Sequence, residues 1–294
     1  AMKTPRFALL LGVLVSGLSV DSAASQVSDV SYDRILAATE EPENWLTYNG
    51  TYSSQRHSLL DQINPSNVDD LELKWMLQNQ VFGAWQSNPI VVDGIMYVTQ
   101  RPNDVMAVDA ITGRVFWRYQ WANSPDATVC CGANNRGVAI LGNKVFMGTL
   151  DAHLVALDAT NGQPLWVTEV GDVNLAYSLT MAPLAVKDKV IVGVGGGEYG
   201  IRGYIAAYNA DTGEEEWRFY TIPGEGEPHN DTWEDDSWKT GGAPTWITGA
   251  YDPELNLVYW GTGNPGPDWN GEAREGDNLY SDSVVALDAD TGEL

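Results

Sequence analysis

The sequence predicts an all-β protein made of repeated four-stranded units, a β-propeller, and three observations carry that prediction. The first is a repeat, Ala-x-(Asp or Asn)-x-x-x-Gly-x-x-x-Trp. It occurs at Ala107, Asp109, Gly113 and Trp117, at Ala156, Asp158, Gly162 and Trp166, and at Ala207, Asn209, Gly213 and Trp217. A fourth copy begins at Ala286, Asp288 and Gly292, and the chain stops at Leu294 before its Trp. The second is a hairpin-like segment ahead of each copy. Residues 89–99 turn at Asp93-Gly94, 138–149 at Gly142-Asn143, 184–195 near Lys187-Asp188, and 251–263 through Asp252-Pro253. Asp-Gly and Gly-Asn favour tight hairpins. The third is composition: 30 Gly, 12 Trp and 13 Tyr in 294 residues suit many short strands joined by turns. Four short strands in about 45 residues match a propeller blade.

Taken in chain order, the first residues read as an address. Lys3 and Arg6 form a basic start, residues 8–20 are apolar apart from Ser16 and Ser19, and Ala23-Ala24-Ser25 offers a cleavage point. Residues 1–25 are therefore expected to be a secretory signal peptide, too short in its apolar run to span a bilayer. Residues 26–45 form a separate N-terminal segment, with a short helix expected over 32–39. Residues 46–294 hold about four blades. The recurrent Gly permits a sharp turn, and the Trp four residues on can pack between neighbouring blades. The Gly positions lie 49, 51 and 79 residues apart. The long interval reflects an acidic, Gly-rich stretch over 223–242, expected to be a solvated insertion. An open array of blades leaves edges unburied, so the chain reads as the N-terminal part of a longer protein.

Charge excludes some functions. Lys plus Arg is 16 against 40 Asp plus Glu, a net charge of −24. A phosphate backbone needs a basic face, so nucleic acid is not an expected partner. An anionic membrane surface is disfavoured for the same reason. Two Cys cannot build a disulfide-rich scaffold. The three His share no ligand spacing and read as structural.

The two cysteines, Cys130 and Cys131, are adjacent. A disulfide between neighbours holds the Cα atoms about 3.8 Å apart, below the usual range. Such a bond is rare, and export would permit it. Two free or separately packed thiols are the alternative from the pair alone. Arg136 follows five residues after Cys131.

Further motifs follow in order. They are Leu179-Thr180-Met181-Ala182-Pro183, then Gly195-Gly196-Gly197-Glu198 leading to Arg202-Gly203. Next come Trp233-Glu234-x-Asp236-x-Trp238-Lys239 with Gly241-Gly242, then Trp246, and Gly261-Thr262-Gly263-Asn264-Pro265. Together with Asn49, Arg56, Ser58, Leu60 and Gln62-Ile63, this ordered set resembles the quinoprotein alcohol dehydrogenases, which use pyrroloquinoline quinone (PQQ). The resemblance runs from about residue 44 to 294. It implies an eight-bladed propeller in full length and oxidation of a primary alcohol to an aldehyde.

The resemblance also assigns residues. It implies that Trp246 stacks on one face of the quinone and a Cys130–Cys131 disulfide covers the other. Arg136 would pair with carboxylate oxygens, Thr180 would donate a hydroxyl, and Gly195, Gly196 and Gly197 would let the backbone approach. Gly195 stands where the family often has Ser. Gln86 stands where it commonly has Glu near the cofactor. Glu198 and Asn264 correspond to the metal ligands, hard oxygen donors suited to Ca²⁺, with a lanthanide as the other candidate. The family's proton-abstracting Asp is expected beyond Leu294, so residues 26–294 alone are expected not to turn over. The signal peptide over residues 1–25 implies export, with the periplasm as the expected location. A soluble cytochrome c acceptor would suit the acidic surface.

Two alternatives share parts of this pattern. A non-catalytic propeller for protein assembly has the Trp repeat but no need of Cys130-Cys131, Arg136, Glu198 and Asn264 together. A quinoprotein sugar dehydrogenase of the membrane-bound kind lacks the adjacent Cys pair.

Overall fold

The computed structural model describes residues 29–294 except Gln80, so the expected signal peptide lies outside the described residues. The described strands form four antiparallel sheets, each a simple meander. The first holds β1 (Ile90–Val92), β2 (Ile95–Gln100), β3 (Asp104–Asp109) and β4 (Val115–Gln120). The second holds β5 (Ala139–Leu141), β6 (Lys144–Gly148), β7 (His153–Asp158) and β8 (Pro164–Glu169). The third holds β9 (Leu184–Val186), β10 (Lys189–Gly193), β11 (Tyr204–Asn209) and β12 (Glu215–Tyr220). The fourth has three strands, β13 (Ala250–Asp252), β14 (Leu257–Gly261) and β15 (Val284–Asp288). The four expected hairpin turns all join consecutive strands of one sheet.

The repeat works as a turn and a dock. Asp109 Oδ1 accepts from the backbone N–H of Ile111 and Thr112, and Asp158, Asn209 and Asp288 do the same one blade on. This Asx turn ends on the motif Gly, whose φ lies between +72° and +74° in all four copies. Only glycine adopts that region freely. The same Gly makes room for an indole. A Cβ at Gly162 would lie 2.5 Å from Trp117, at Gly213 2.6 Å from Trp166, and at Gly292 2.5 Å from Trp217. Each indole N–H then donates to a carbonyl of the next copy, at Ala159, Ala210 and Ala289. The motif Ala faces its own Trp across the ladder, and each of the three ladders slips by a bulge just after it.

One dock was not foreseen. Trp75 sits against Gly113, 2.6 Å from where its Cβ would be, and donates to Ala110 O at 3.0 Å. No motif Gly precedes Trp75 at the repeat spacing, so the pattern did not reveal it.

The N-terminal segment is tied to the blades. Helix α1 (Tyr32–Leu36) is capped by Ser31 and buries Ile35. It is shorter than expected, because a 3-10 turn takes over at Ala38–Glu40. Arg34 bonds Glu41 and Asp93, both at 2.7 Å, which pins the helix to the first hairpin turn. Backbone bridges join Val30 to Gly142 and Trp45 to Val91.

The stretch 223–242 is more than a solvated insertion. Its acidic side chains Glu225, Glu227, Asp231, Glu234, Asp235 and Asp236 are exposed as expected. Trp233, however, is buried against Ile222 and Ala243 and donates to Leu279 O at 2.6 Å. A buried indole with its N–H satisfied anchors the loop. Among the described residues, no helix is long and apolar enough to cross a membrane.

Candidate functional site

The meander order fixes where function can assemble. In an antiparallel sheet, successive strands reverse, so segments that follow even-numbered strands leave from the same end of the blades. Cys130 to Arg136 lie after β4, Ser178 and Thr180 after β8, Gly195 to Glu198 after β10, Trp246 after β12, and Asn264 after β14. All five loops therefore meet at one end.

They enclose a cavity of about 180 Å³. Its lining includes the predicted Cys130, Cys131, Arg136, Thr180, Gly195, Gly196, Glu198, Trp246 and Asn264. It also includes Gly132, Asn134 and Ser178, which the motifs did not single out. Cys130 and Cys131 are bonded to each other, with Cys131 at φ +66° and Gly132 at +95°. Such backbone conformations cluster at functional sites. Asn134 and Asn135 follow, and they differ. Asn135 is satisfied at both ends, by Gly148 O and the Gly137 N–H. Asn134 donates to Cys131 O at 3.0 Å, and its Oδ1 is buried without a partner.

Arg136 is the main cation of the cavity. Its Nη1 donates to Thr180 O at 3.0 Å, and its guanidinium lies 4.9 Å from the Trp246 ring centre. Burial pushes its pKa down, and no carboxylate among the described residues counteracts that. A half-buried guanidinium with one hydrogen bond is short of anionic partners.

Glu198 stands on a 3-10 turn, Gly197–Tyr199, between Gly196 at φ +115° and Gly200 at +78°. A Cβ at Gly196 would lie 2.2 Å from Ala176 O, so only glycine fits there. Glu198 comes within 4.8 Å of both cysteine sulfurs. Bonded sulfurs are not thiolates, so this trio is not a metal centre by itself. Glu198 and Asn264 are hard oxygen donors in the cavity lining, alongside the side-chain oxygens of Asn134, Ser178 and Thr180.

Two predicted residues are not brought in. Gln86 is exposed and is not among the residues lining the cavity; its neighbours Trp85 and Ser87 bond Thr99 on β2. Gly197 is buried against Pro244, 2.7 Å from where a Cβ would be, so it serves loop packing. At Gly195 a Cβ would lie 2.9 Å from Ser178 Oγ. A hydroxyl is thus present at the cavity beside the position where Gly195 lacks one.

Four such sheets, with their loops gathered around a disulfide-lined cavity at one end, define a β-propeller architecture with one candidate site. Residues 45–294 match the family model described as "PQQ: Glucose/ethanol/alcohol dehydrogenase, beta-propeller domain", and the chain belongs to that family. It is 44% identical to quinohemoprotein alcohol dehydrogenase ADH IIB of Pseudomonas putida, over 100% of this chain and 44% of that protein. It is 39% identical to a lanthanide-dependent methanol dehydrogenase of Methylacidiphilum fumariolicum, over 89% of this chain and 46% of that protein. A solved europium-containing methanol dehydrogenase superposes with a TM-score of 0.85 at 38% identity, covering 89% of this chain and 49% of the other. The chain thus spans about half the length of the relatives it matches.

Proposed function

We propose that this chain supplies the cofactor- and metal-holding part of a PQQ-dependent alcohol dehydrogenase. The observation that carries the reading is Arg136, half-buried at the cavity without a carboxylate partner, beside a vicinal disulfide and an indole. A flat quinone with three carboxylates fits that donor set. Arg136 would bind its carboxylate oxygens, and Thr180 and Ser178 would donate hydroxyl hydrogens. The disulfide and Trp246 would cover its faces and exclude water. Glu198 and Asn264 would offer oxygens to a Ca²⁺ or lanthanide ion, which needs more donors than these two. When bound, the quinone would supply the two-electron acceptor for alcohol oxidation, and the metal would act as a Lewis acid beside it. The relatives named above support a primary alcohol as substrate.

Two further parts of the reading rest on sequence features. The signal-like residues 1–25 support export to the periplasm. The net charge of −24 supports a cationic electron acceptor of cytochrome c type. Reduction of such an acceptor should slow with rising ionic strength.

The deciding experiment is PQQ titration of the full-length protein with Ca²⁺ or La³⁺, followed by dye-linked oxidation of ethanol. Saturable binding with alcohol-dependent dye reduction is expected. A folded protein that binds no PQQ with either ion would overturn the proposal. The same protein would then read as a binding propeller.

A further inference from the structure

Asn264 lines the cavity, and its side-chain amide is held from outside. Its Nδ2 donates to Asp268 Oδ1 at 2.5 Å and more distantly to Pro265 O at 3.5 Å. The backbone here is already fixed. Asn264 O accepts from the Ala243 N–H at 3.0 Å, and the Gly266 N–H donates to Gly241 O at 2.7 Å. What remains to be set is which end of the amide faces the cavity. An ionised carboxylate only accepts hydrogen bonds, so it can hold Nδ2 and not Oδ1. Asp268 thereby leaves Oδ1 as the end available to a cation. It makes no ion pair with a Lys or Arg among the described residues, so its charge is not neutralised locally.

We propose that Asp268 is a positioning residue for the metal site. It turns Asn264 Oδ1 toward a cation shared with Glu198, and its charge favours ions of higher valence there. The inference rests on the metal reading above. Outer partners of metal ligands commonly change affinity by about 10- to 100-fold. A charge one residue removed from the ion acts more on a trivalent than on a divalent cation.

The test is binding of Ca²⁺ and of La³⁺ to the PQQ-loaded full-length protein, read by calorimetry and by the quinone absorbance. Asp268→Ala is expected to weaken Ca²⁺ by about tenfold and La³⁺ by about 100-fold, because it removes both the orienting acceptor and the charge. Asp268→Asn still accepts from Nδ2 through its own Oδ1, so Ca²⁺ should recover to within about threefold of the parent. La³⁺ should stay about tenfold weaker in that variant, because the charge is gone. Asp268 is exposed, so both variants should melt with the parent. An Asn variant no better than Ala for Ca²⁺ would overturn orientation as the cause. Parent-like binding of both ions by both variants, with loss in Glu198→Ala, would overturn the inference and leave the metal site standing. Parent-like binding in Glu198→Ala as well would overturn the metal reading beneath it.

Discussion

The blade junctions and the cavity are built from the same chain by opposite rules. At a junction the indole N–H groups find partners inside the protein. Trp117, Trp166 and Trp217 each give their N–H to a carbonyl of the next copy, and each rests on a glycine with no room for a Cβ. At the cavity, Arg136 lacks a carboxylate and Asn134 Oδ1 lacks any partner. Unsatisfied buried groups cost stability unless something else engages them. The difference separates docks satisfied within the chain from a cavity whose cation and amide oxygen are left for a ligand.

The largest expected effect tests the frame. Trp217 is buried and docks the third blade on the fourth. Trp217→Ala should lower stability by about 3–5 kcal/mol, measured by urea unfolding. A loss under about 1 kcal/mol would show that the docks are not what holds the blades.

Arg136→Met sharpens the contrast from the other side. PQQ affinity should fall about 100-fold by the loss of charged hydrogen bonds. Stability without ligand should stay level or rise, because a buried cation without an anionic partner is costly. A stability loss as large as that of Trp217→Ala would erase the distinction between the two regions.

A smaller effect belongs to the turns. Asp158→Ala removes the acceptor for two backbone N–H groups, at 2.8 and 3.2 Å, and should cost about 1 kcal/mol in a denaturation curve. PQQ binding should be unchanged.

The smallest is a pH effect at the rim of the frame. Burial pushes the Asp151 carboxyl up, but bonds from Thr149, the Ser124 N–H and Trp121 outweigh it and leave it below its usual range. A depressed folded pKa gives stability that is present above the unfolded value near 3.9. That stability is lost as pH falls through the lower folded value. Thr149→Val removes one of these donors, so its stability should decline less steeply than the parent's below about pH 4. Equal acid slopes would remove Asp151 from the account.

Much of the frame was legible because its signals are local. The hairpin turns, the Asx turn and the Gly-to-Trp spacing all lie within a dozen residues, where backbone geometry is set by neighbours in sequence. Cys130-Cys131, Arg136, Glu198, Trp246 and Asn264 were legible through their motifs, and the structure brings them to one cavity. Gln86 sits ahead of β1 outside every repeat motif, and it is not among the residues lining the cavity. Ser178 carried no motif, and Asn134 lay between Cys131 and Arg136 without a role assigned to it. Their part emerges only from the loops opposite them. Trp233 was hidden in an acidic stretch whose charge masked one buried indole.

By itself the sequence determined the repeating unit and its turns, because both depend on short-range sterics and hydrogen bonding, whereas each Trp docks on the Gly of the following copy. The tertiary structure decided what those units enclose. Antiparallel meanders send every segment after an even-numbered strand to the same end. The docked blades then bring Cys131 and Asn264 to one cavity across the intervening sheets. No local interaction encodes that meeting; it follows from the docking of one blade on the next.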